Sequence, residues 1–146
     1  MKVAQILLQK QARVVSVRPR EPVAAALKLM AAENIGALVV TDHVSTEGTT
    51  VLGMFSERDV VRALAANGQS ALEIMKQPVE KFMSKKLFSC EPNDELAYVM
   101  EMMDLHSIRH MPVLDDHTLV GVVGIRDVIH VLRALMPARE AVAPAA

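Results

Sequence analysis

The chain has 146 residues, of which 51% are hydrophobic, and its formal net charge is −1. This length is enough for one compact domain or two closely packed halves, but it leaves no room for a separate catalytic domain. A nearly neutral chain creates no long-range field that would attract a phosphate backbone, so we expect no nucleic-acid partner.

The lack of a recognisable targeting segment and the single cysteine both bear on the cellular compartment. No stretch has the apolar run of a signal peptide or a membrane span, so we expect no membrane partner. The single cysteine, Cys90, cannot form an internal disulfide, which favours a reducing environment. We therefore expect a cytoplasmic protein in which Cys90 is a buried structural thiol rather than a reactive one.

In the first half of the chain, strands alternate with helices. Residues 14–17 predict a short strand, and Pro22 then opens a helix with apolar side chains every three or four positions. We expect this helix to end near residues 34–36, where Gly36 supplies a stop. Strands follow at 37–41 and 50–55, joined by a polar loop, and a second helix runs from Ser56 to about residue 66.

The second half predicts the same order of elements. A strand is expected at 87–90, a helix at 95–106, strands at 110–114 and 118–124, and a closing helix at 125–135. Each half is therefore β-α-β-β-α, and neither could bury its sheet alone. The fold class is α/β (α+β), with two repeats packed by pseudo-twofold symmetry into one module.

Direct comparison of the two halves supports a duplication. Pro19 and Pro92 lie 73 positions apart, and the same spacing relates Met30 to Met103. The spacing falls to 68 between Gly53 and Gly121, because the first copy carries five extra residues in the loop at 43–50. A short helix is expected before each copy, since three apolar residues match at a spacing of 76: Val3, Ile6 and Leu7 with Val79, Phe82 and Met83.

These patterns divide the chain into four parts. Residues 1–70 form the first repeat with its N-terminal helix, and residues 71–86 form a structured connector without a Gly/Ser-rich tract. Residues 87–136 form the second repeat. The Ala- and Pro-rich tail at 137–146 is expected to be disordered.

The sequence around Ser56 combines groups that suit a nucleotide. Ser56 stands where a strand becomes a helix, so free N–H groups of the first turn could face an anion. The carboxylate of Asp59, taken to be partly exposed, could accept both hydroxyls of a ribose, and Arg58 offers a planar fork for phosphate. Ser56-x-x-Asp59 is equally close to a capping box, which would only start the helix. The second copy keeps this charge pattern as Arg126 and Asp127, but Gly124 replaces the serine.

Motifs in both halves resemble a known module. Residues 35–40 are Ile-Gly-Ala-Leu-Val-Val, and residues 53–59 are Gly-Met-Phe-Ser-Glu-Arg-Asp. Residues 108–113 are Ile-Arg-His-Met-Pro-Val, and residues 121–127 are Gly-Val-Val-Gly-Ile-Arg-Asp. This order resembles a tandem pair of CBS domains, the module named after cystathionine beta-synthase. The resemblance covers nearly the whole chain and is greatest to the stand-alone CBS-pair proteins of bacteria and organelles.

The resemblance implies a regulatory module that binds adenosine ligands in clefts between the repeats. AMP is the first expectation, with ATP, ADP, NADH and S-adenosylmethionine as alternatives. In the motif, Ser56 would contact phosphate and Asp59 the ribose, while Gly124 suggests that the two clefts are unequal. One cleft would also use Ser16, Val17, Ile35, Gly36 and Ala37, and the other Ser89, Cys90, Arg109, His110, Met111 and Pro112.

Several of these residues have a simpler reading. Val17, Ile35 and Met111 are equally good core residues. Arg109 and His110 could neutralise phosphate, or they could simply be solvent-exposed residues at the end of a helix. His106 and His110 have the spacing of a metal pair, but the helix is expected to end before His110, so we expect no metal.

Three classes of function follow. The favoured one is a nucleotide sensor that forms a homodimer through its apolar helices and modulates an unidentified regulated protein. The second is a structural interaction protein with degenerate clefts. An enzyme is not expected, because the sequence contains no nucleophile with a plausible base and no Walker-type loop.

Overall fold

The computed structural model describes residues 1–10, 14–44, 48–66 and 68–138. The N-terminal helix α1 spans Val3–Lys10. The first repeat follows as β1 (Ser16–Val17), α2 (Val23–Glu33), β2 (Ala37–Val44), β3 (Gly48–Ser56) and α3 (Glu57–Ala65). The connector holds α4 (Ala71–Lys76) and a 3-10 turn at Val79–Lys81, and the second repeat holds α5 (Leu96–His106), β4 (His110–Asp115), β5 (Thr118–Gly124) and α6 (Ile125–Leu135). Within these ranges no helix is both long and apolar enough to cross a membrane.

The mixed α/β architecture of two repeats is confirmed. Strands β1, β2 and β3 form one sheet, in which β1 is parallel and β3 antiparallel to β2. Strands β4 and β5 form an antiparallel pair. The register slips between Val40 and Thr41 in one sheet and between Val113 and Leu114 in the other, which are equivalent positions. The duplication therefore extends to a repeated β-bulge.

The insertion in the first repeat is a longer hairpin rather than a loop over its whole length. Strands β2 and β3 continue past the predicted ends, so that Asp42 pairs with Thr50 and His43 with Thr49. The prediction of a polar loop across 43–50 is therefore wrong at both ends. β-branched residues such as Thr49 and Thr50 favour the extended backbone, and Gly48 supplies the positive φ of 78° at the turn side.

The prediction of a strand at 87–90 is wrong, since only Cys90 of these residues pairs with another strand. Cys90 forms an isolated parallel bridge to β4, in which its N–H donates to Pro112 O (3.0 Å) and its carbonyl accepts from Leu114 N (2.8 Å). The parallel hydrogen-bond ladder ends at Cys90, because the next backbone donors on either side would be Pro112 and Pro92. Neither proline has an N–H. In the first repeat Val39 stands where Pro112 stands in the second, and β1 pairs over two residues.

Helices α2 and α5 end in the same way. Asn34 follows α2 with φ 53°, and Ser107 follows α5 with φ 53°. Both donate backbone hydrogen bonds to the carbonyls of the last turn. Asn34, rather than the expected Gly36, is therefore the residue that terminates α2 in a left-handed conformation.

Each repeat is completed by the segment that precedes the other repeat. Val3 N donates to Asp94 O (2.9 Å), and at the equivalent place Val79 N donates to Glu21 O (2.9 Å). The core of the second repeat includes Val3 and Ile6 from α1, together with Cys90, Leu96, Val99, Met103, Met111, Val113, Val123, Val128 and Val131. The core of the first repeat includes Ile74 and Val79 from the connector, together with Val17, Val23, Ala26, Met30, Leu38, Val40 and Phe55.

This exchange makes the connector structured, as predicted, and ties the two halves together. The short helix expected before the second copy is only a 3-10 turn, and α1 packs on the second repeat rather than on the first. The limits of the four segments remain predictions. Most of the tail expected to be disordered, residues 139–146, lies outside the described residues.

Two glycines allow the exchanged segments to approach. A Cβ on Gly53 would lie 2.7 Å from Ser84 O, because residue 84 bridges Met54 with hydrogen bonds of 3.0 and 2.8 Å. A Cβ on Gly121 would lie 2.7 Å from Leu7 Cδ2. Glycine is therefore required at equivalent places in both motifs for packing of the chain against β3 and β5.

Candidate functional site

An open cleft of about 1600 Å³ is lined by residues of both repeats. Its walls come from the starts of α3 and α6, the residues after α2 and α5, and the start of β4, with the end of α1 at one side. Ordinary pockets for small ligands measure roughly 300–1,000 Å³. The cleft is therefore large enough for more than one small ligand.

At the start of α3, the motif forms a complete capping box. Ser56 N and Ser56 Oγ donate to Asp59 Oδ2 at 2.9 and 3.1 Å, and Asp59 N donates back to Ser56 Oγ at 3.4 Å. Ser84 Oγ from the connector donates to Asp59 Oδ1 at 3.0 Å. Asp59 is 5% exposed, so its expected partial exposure is wrong. Both carboxylate oxygens are occupied by the protein.

The equivalent site at the start of α6 is more open. Gly124 N donates to Asp127 Oδ2 at 2.8 Å, so the acidic residue caps this helix as well. Lys10 Nζ donates to the same oxygen at 3.0 Å and to Val122 O at 2.9 Å. Among the described residues, no group donates to Asp127 Oδ1, which leaves this oxygen available to a ligand hydroxyl.

Four arginines among the described residues border the cleft, of which Arg62 lies on α3. Arg58 Nη1 donates to Ser107 O at 3.1 Å and so connects α3 to the end of α5. The side chains of Arg109 and Arg126 are exposed and donate to no other part of the described chain. Both guanidinium groups can therefore offer their paired donors to an anion.

His110 begins β4 between charges of both signs. Burial lowers the pKa of the His110 imidazole from its usual value, and Lys10 and Arg109 lower this pKa further. Asp127 and Glu57 act in the opposite direction. The imidazole is therefore a neutral donor and acceptor at pH 7.

The structure brings ten of the sixteen predicted site residues to the cleft. They are Ile35, Gly36, Ala37, Ser56, Arg58, Asp59, Arg109, His110, Arg126 and Asp127. The other six do not line it: Ser16, Val17, Ser89, Cys90, Met111 and Pro112. Four of these six are buried: Val17, Cys90, Met111 and Pro112.

The prediction missed the residues that precede the first strand of each repeat. Val15 and Phe88, which are equivalent, line the cleft instead of the residues one to two positions later. The Phe88 ring stacks on His106, with centroids 3.9 Å apart and planes at 20°, and Lys86 Nζ lies 5.5 Å from the ring centroid. The alternation of faces along a strand does not single out these positions, because Val15 and Phe88, two positions before the buried Val17 and Cys90, share a face with them.

Lys10 is a further cleft residue that the prediction missed. The spacing of 76 that relates Val3 to Val79 also relates Lys10 to Lys86, and both line the cleft. This regularity was present in the sequence. Its meaning depended on the exchange of α1 onto the second repeat, which the spacing alone does not show.

The single cysteine lies in the core of the second repeat. Cys90 is free and buried, and burial followed by the nearby Asp94 raises the pKa of its thiol to about 12. The predicted burial of this cysteine is confirmed. No group of three or more potential ligand side chains converges as a metal site in the part of the chain that the structure describes.

The chain is similar to curated proteins over most of its length. It is 32% identical over 115 residues to a CBS domain-containing protein, YhcV, of Bacillus subtilis, covering 79% of this chain and 76% of the relative. It is 33% identical over 146 residues to a 17.7 kDa protein of Acidianus ambivalens, covering 95% of this chain and 81% of the relative.

Solved structures show the same architecture. A CBS-domain containing protein from Agrobacterium tumefaciens superposes with a TM-score of 0.80 at 36% identity, over 90% of this chain and 99% of that one. A CBS domain pair crystallised with 5′-methylthioadenosine and S-adenosyl-L-methionine has a TM-score of 0.74 at 21% identity, over 93% of this chain and 98% of that one. This second similarity shows the fold alone.

The CBS domain family itself matches twice. The first match covers residues 3–66 and the second covers residues 79–134, so each contains one repeat together with the segment that precedes it. The two matches cover most of the chain and agree with the duplicated motifs and with the two hydrophobic cores. The chain therefore belongs to the CBS domain family, as a tandem pair of CBS domains.

Proposed function

We propose that this CBS pair binds an adenosine nucleotide, with AMP the first choice, in the cleft between its repeats. The observation that carries the proposal is the charge of the cleft. Among the described residues, six lysines and arginines line it against four carboxylates, although the whole chain has a net charge of −1. A local excess of positive charge in a concave site concentrates anions there.

The remaining surfaces of the cleft suit a purine and a ribose. Val15, Ile35 and Phe88 provide apolar walls for a flat ring. Asp127 Oδ1 can accept a ribose hydroxyl, and Arg109 and Arg126 can donate to phosphate. Contacts of Ser56 with phosphate and of Asp59 with ribose remain the proposal for any nucleotide held at the first repeat, although both side chains are already hydrogen-bonded to one another.

Other adenosine ligands remain alternatives. ATP, ADP, NADH and S-adenosylmethionine share the adenosine group, and the volume of about 1600 Å³ can hold the larger of them. The complex of a structural neighbour with 5′-methylthioadenosine and S-adenosyl-L-methionine supports this class of ligand. The family is regulatory in general, and we propose no catalytic activity for this chain.

Regulation requires a second state and a partner. We propose a homodimer formed through exposed apolar side chains, among them Tyr98, Met100 and Leu105 on α5, which are 39%, 37% and 70% exposed. Nucleotide binding would favour one arrangement of this dimer, and a regulated protein in the cytoplasm would recognise it. Sedimentation velocity at micromolar concentration should show a dimer, and a monomer would remove this part of the proposal.

Isothermal titration calorimetry tests nucleotide binding. AMP should bind the nucleotide-free protein, and Asp127→Asn should weaken binding by about tenfold or more because it removes the charged acceptor of the ribose. Asp115→Asn, an exposed carboxylate at the end of β4, is the matched control and should bind as the wild type does. If no adenosine ligand binds the wild type, a structural interaction protein with degenerate clefts becomes the better account.

A further inference from the structure

The two repeats present different charges to the cleft. We define the first-repeat wall as Glu33, Gly36, Ala37 and Glu57, and the second-repeat wall as the equivalent residues His106, Arg109, His110 and Ile125. At each of these four positions the second repeat carries the more basic or less acidic side chain. Arg62 and His130 differ in the opposite sense, and Arg58 and Arg126 are the same. The balance makes the second-repeat wall the more cationic one.

Lys10 adds to the charge of the second-repeat wall. Two of its three N–H donors bind Val122 O and Asp127 Oδ2, at 2.9 and 3.0 Å, which leaves one for a ligand. Helix α1 is fixed to this repeat because Val3 and Ile6 lie in its core. The ammonium group is therefore held beside Asp127, the residue whose other oxygen is free for a ribose.

Glu57 acts on the first-repeat wall. Its N–H donates to Gly36 O at 3.0 Å, and its carboxylate covers Gly36 so closely that a Cβ there would lie 3.3 Å from Glu57 Cδ. No donor in the described chain pairs with this carboxylate. At the equivalent place Ile125 N donates to Arg109 O at 2.8 Å, but the side chain is uncharged.

A phosphate group with two negative charges should distinguish these walls, because like charges at contact distance repel and a fixed ammonium attracts. We propose that a bound nucleotide places its phosphate against the second-repeat wall, that Lys10 is a specificity-determining residue for this phosphate, and that Glu57 keeps phosphate away from the first-repeat wall. This inference rests on the proposed function. It differs from the motif-based expectation that Ser56 contacts phosphate.

The test compares AMP with adenosine by isothermal titration calorimetry, since the two differ only in the phosphate. Wild-type protein should bind AMP more tightly than adenosine. Lys10→Met should weaken AMP binding by about tenfold while changing adenosine binding by less than about twofold, since it removes one charged donor to phosphate. Lys28→Met removes an exposed lysine of α2 outside the cleft and should change neither affinity. Lys10→Arg should retain the preference for AMP.

The substitution Glu57→Gln tests whether this carboxylate keeps phosphate away from the first-repeat wall. Removal of this charge should raise AMP binding from one to two molecules per chain, and Glu101→Gln, an exposed glutamate of α5, should leave it at one. Unfolding curves of all variants in the absence of ligand establish that they are folded, and Lys10→Arg provides the test should Lys10→Met not fold.

The outcomes separate this inference from the proposed function. If the wild type binds AMP and adenosine equally, or Lys10→Met weakens both alike, nucleotide binding stands and the role of Lys10 is overturned. If Ser56→Ala abolishes the preference for AMP while Lys10→Met retains it, phosphate lies at the first-repeat wall and the inference is wrong. An unchanged stoichiometry in Glu57→Gln overturns the role of Glu57. If the wild type binds neither compound, the proposed function itself fails.

Discussion

Asp59 and Asp127 occupy equivalent positions, yet their surroundings differ. Asp59 is buried and accepts hydrogen bonds from Ser56 and Ser84 on both oxygens, whereas Asp127 is partly exposed and pairs with Lys10. A buried acceptor whose removal leaves donors unpaired contributes more to stability than a partly solvated ion pair. The same motif residue is therefore mainly structural in one repeat and available for binding in the other.

This difference predicts the effects of two matched substitutions. Asp59→Ala should lower the free energy of unfolding by about 2 kcal/mol, since it removes a helix cap and leaves the Ser84 hydroxyl unpaired. Asp127→Ala should cost about 1 kcal/mol, the effect of a cap and a partly exposed ion pair. Urea denaturation measures both. An Asp59→Ala variant that is as stable as Asp127→Ala would contradict the assignment.

His110 predicts a pH dependence with a definite sign. Because burial and the cations Lys10 and Arg109 lower the pKa of this imidazole in the folded state, the unfolded state binds the proton first on acidification. Stability is fully present above the unfolded pKa of about 6.5 and decreases as pH falls below it, until the folded state is protonated as well. Asp127 and Glu57 oppose the shift without reversing its direction.

The measurement is the free energy of unfolding of wild type and His110→Gln between about pH 7.5 and pH 5, the range in which histidine titrates. The wild type should lose more stability than the variant over this range, since only the wild type carries the depressed imidazole. Identical slopes for the two proteins would show that His110 titrates normally.

Contacts of single residues could be predicted where both partners lie in one local motif. They could not be predicted where the partners are far apart in the chain. The Ser56–Asp59 cap follows from spacing within one helical turn, and the structure shows it. Lys10 and Asp127 are 117 residues apart in the chain, so no local pattern could pair them. The shift from Ser16 and Ser89 to Val15 and Phe88 arose because the alternating faces of a two-residue strand are fixed only by its packing.

At the scale of elements, the glycines of the two motifs have a packing role. Gly53→Ala should destabilise the protein by about 2–3 kcal/mol, because the new Cβ would meet the backbone carbonyl of Ser84, which cannot move without breaking its bridge to β3. Gly121→Ala should lower the free energy of unfolding by less, because the new Cβ would contact only the side chain of Leu7, which can change rotamer.

Gly124→Ala provides the control for this prediction. Its backbone has φ −100° and the nearest atom to a new Cβ lies 3.5 Å away, so we expect little change in stability. Thermal unfolding of the three variants gives the order. If Gly53→Ala were as stable as Gly124→Ala, the close approach of the connector would not limit residue 53.

The sequence predicted the type of most helices and strands correctly, but it predicted their ends less well. Hydrophobic periodicity indicated all four helices of the two repeats, because an amphipathic helix on a sheet has a strong pattern. The loss of the strand at 87–90 depended on Pro112, whose missing N–H matters only once the pairing partner is known. The longer hairpin of the first repeat depended on cross-strand pairing that a polar sequence does not reveal.

At the scale of the whole molecule, the exchange of leading segments determines where the cleft forms. Helix α1 brings Lys10 to the second repeat, and the connector brings Ser84 to the first. The resemblance implied clefts between the repeats, but the sequence comparison did not show that each repeat is completed by the segment that precedes the other repeat. The proposed unequal occupancy of the two sides of the cleft would follow from this exchange together with the differences between the walls at Glu33/His106, Gly36/Arg109 and Glu57/Ile125.

Thermal unfolding in the presence of ligands shows whether the cleft binds an adenosine nucleotide. Protein freed of nucleotide is heated with AMP, ADP, ATP, NADH or S-adenosylmethionine. A ligand at about 100 times its Kd adds about 2.7 kcal/mol to the free energy of unfolding, which corresponds to roughly 5–10 °C in Tm for a chain of this size. We expect such a shift with AMP, and if none of the five ligands raised Tm, the cleft would not be a site for adenosine nucleotides.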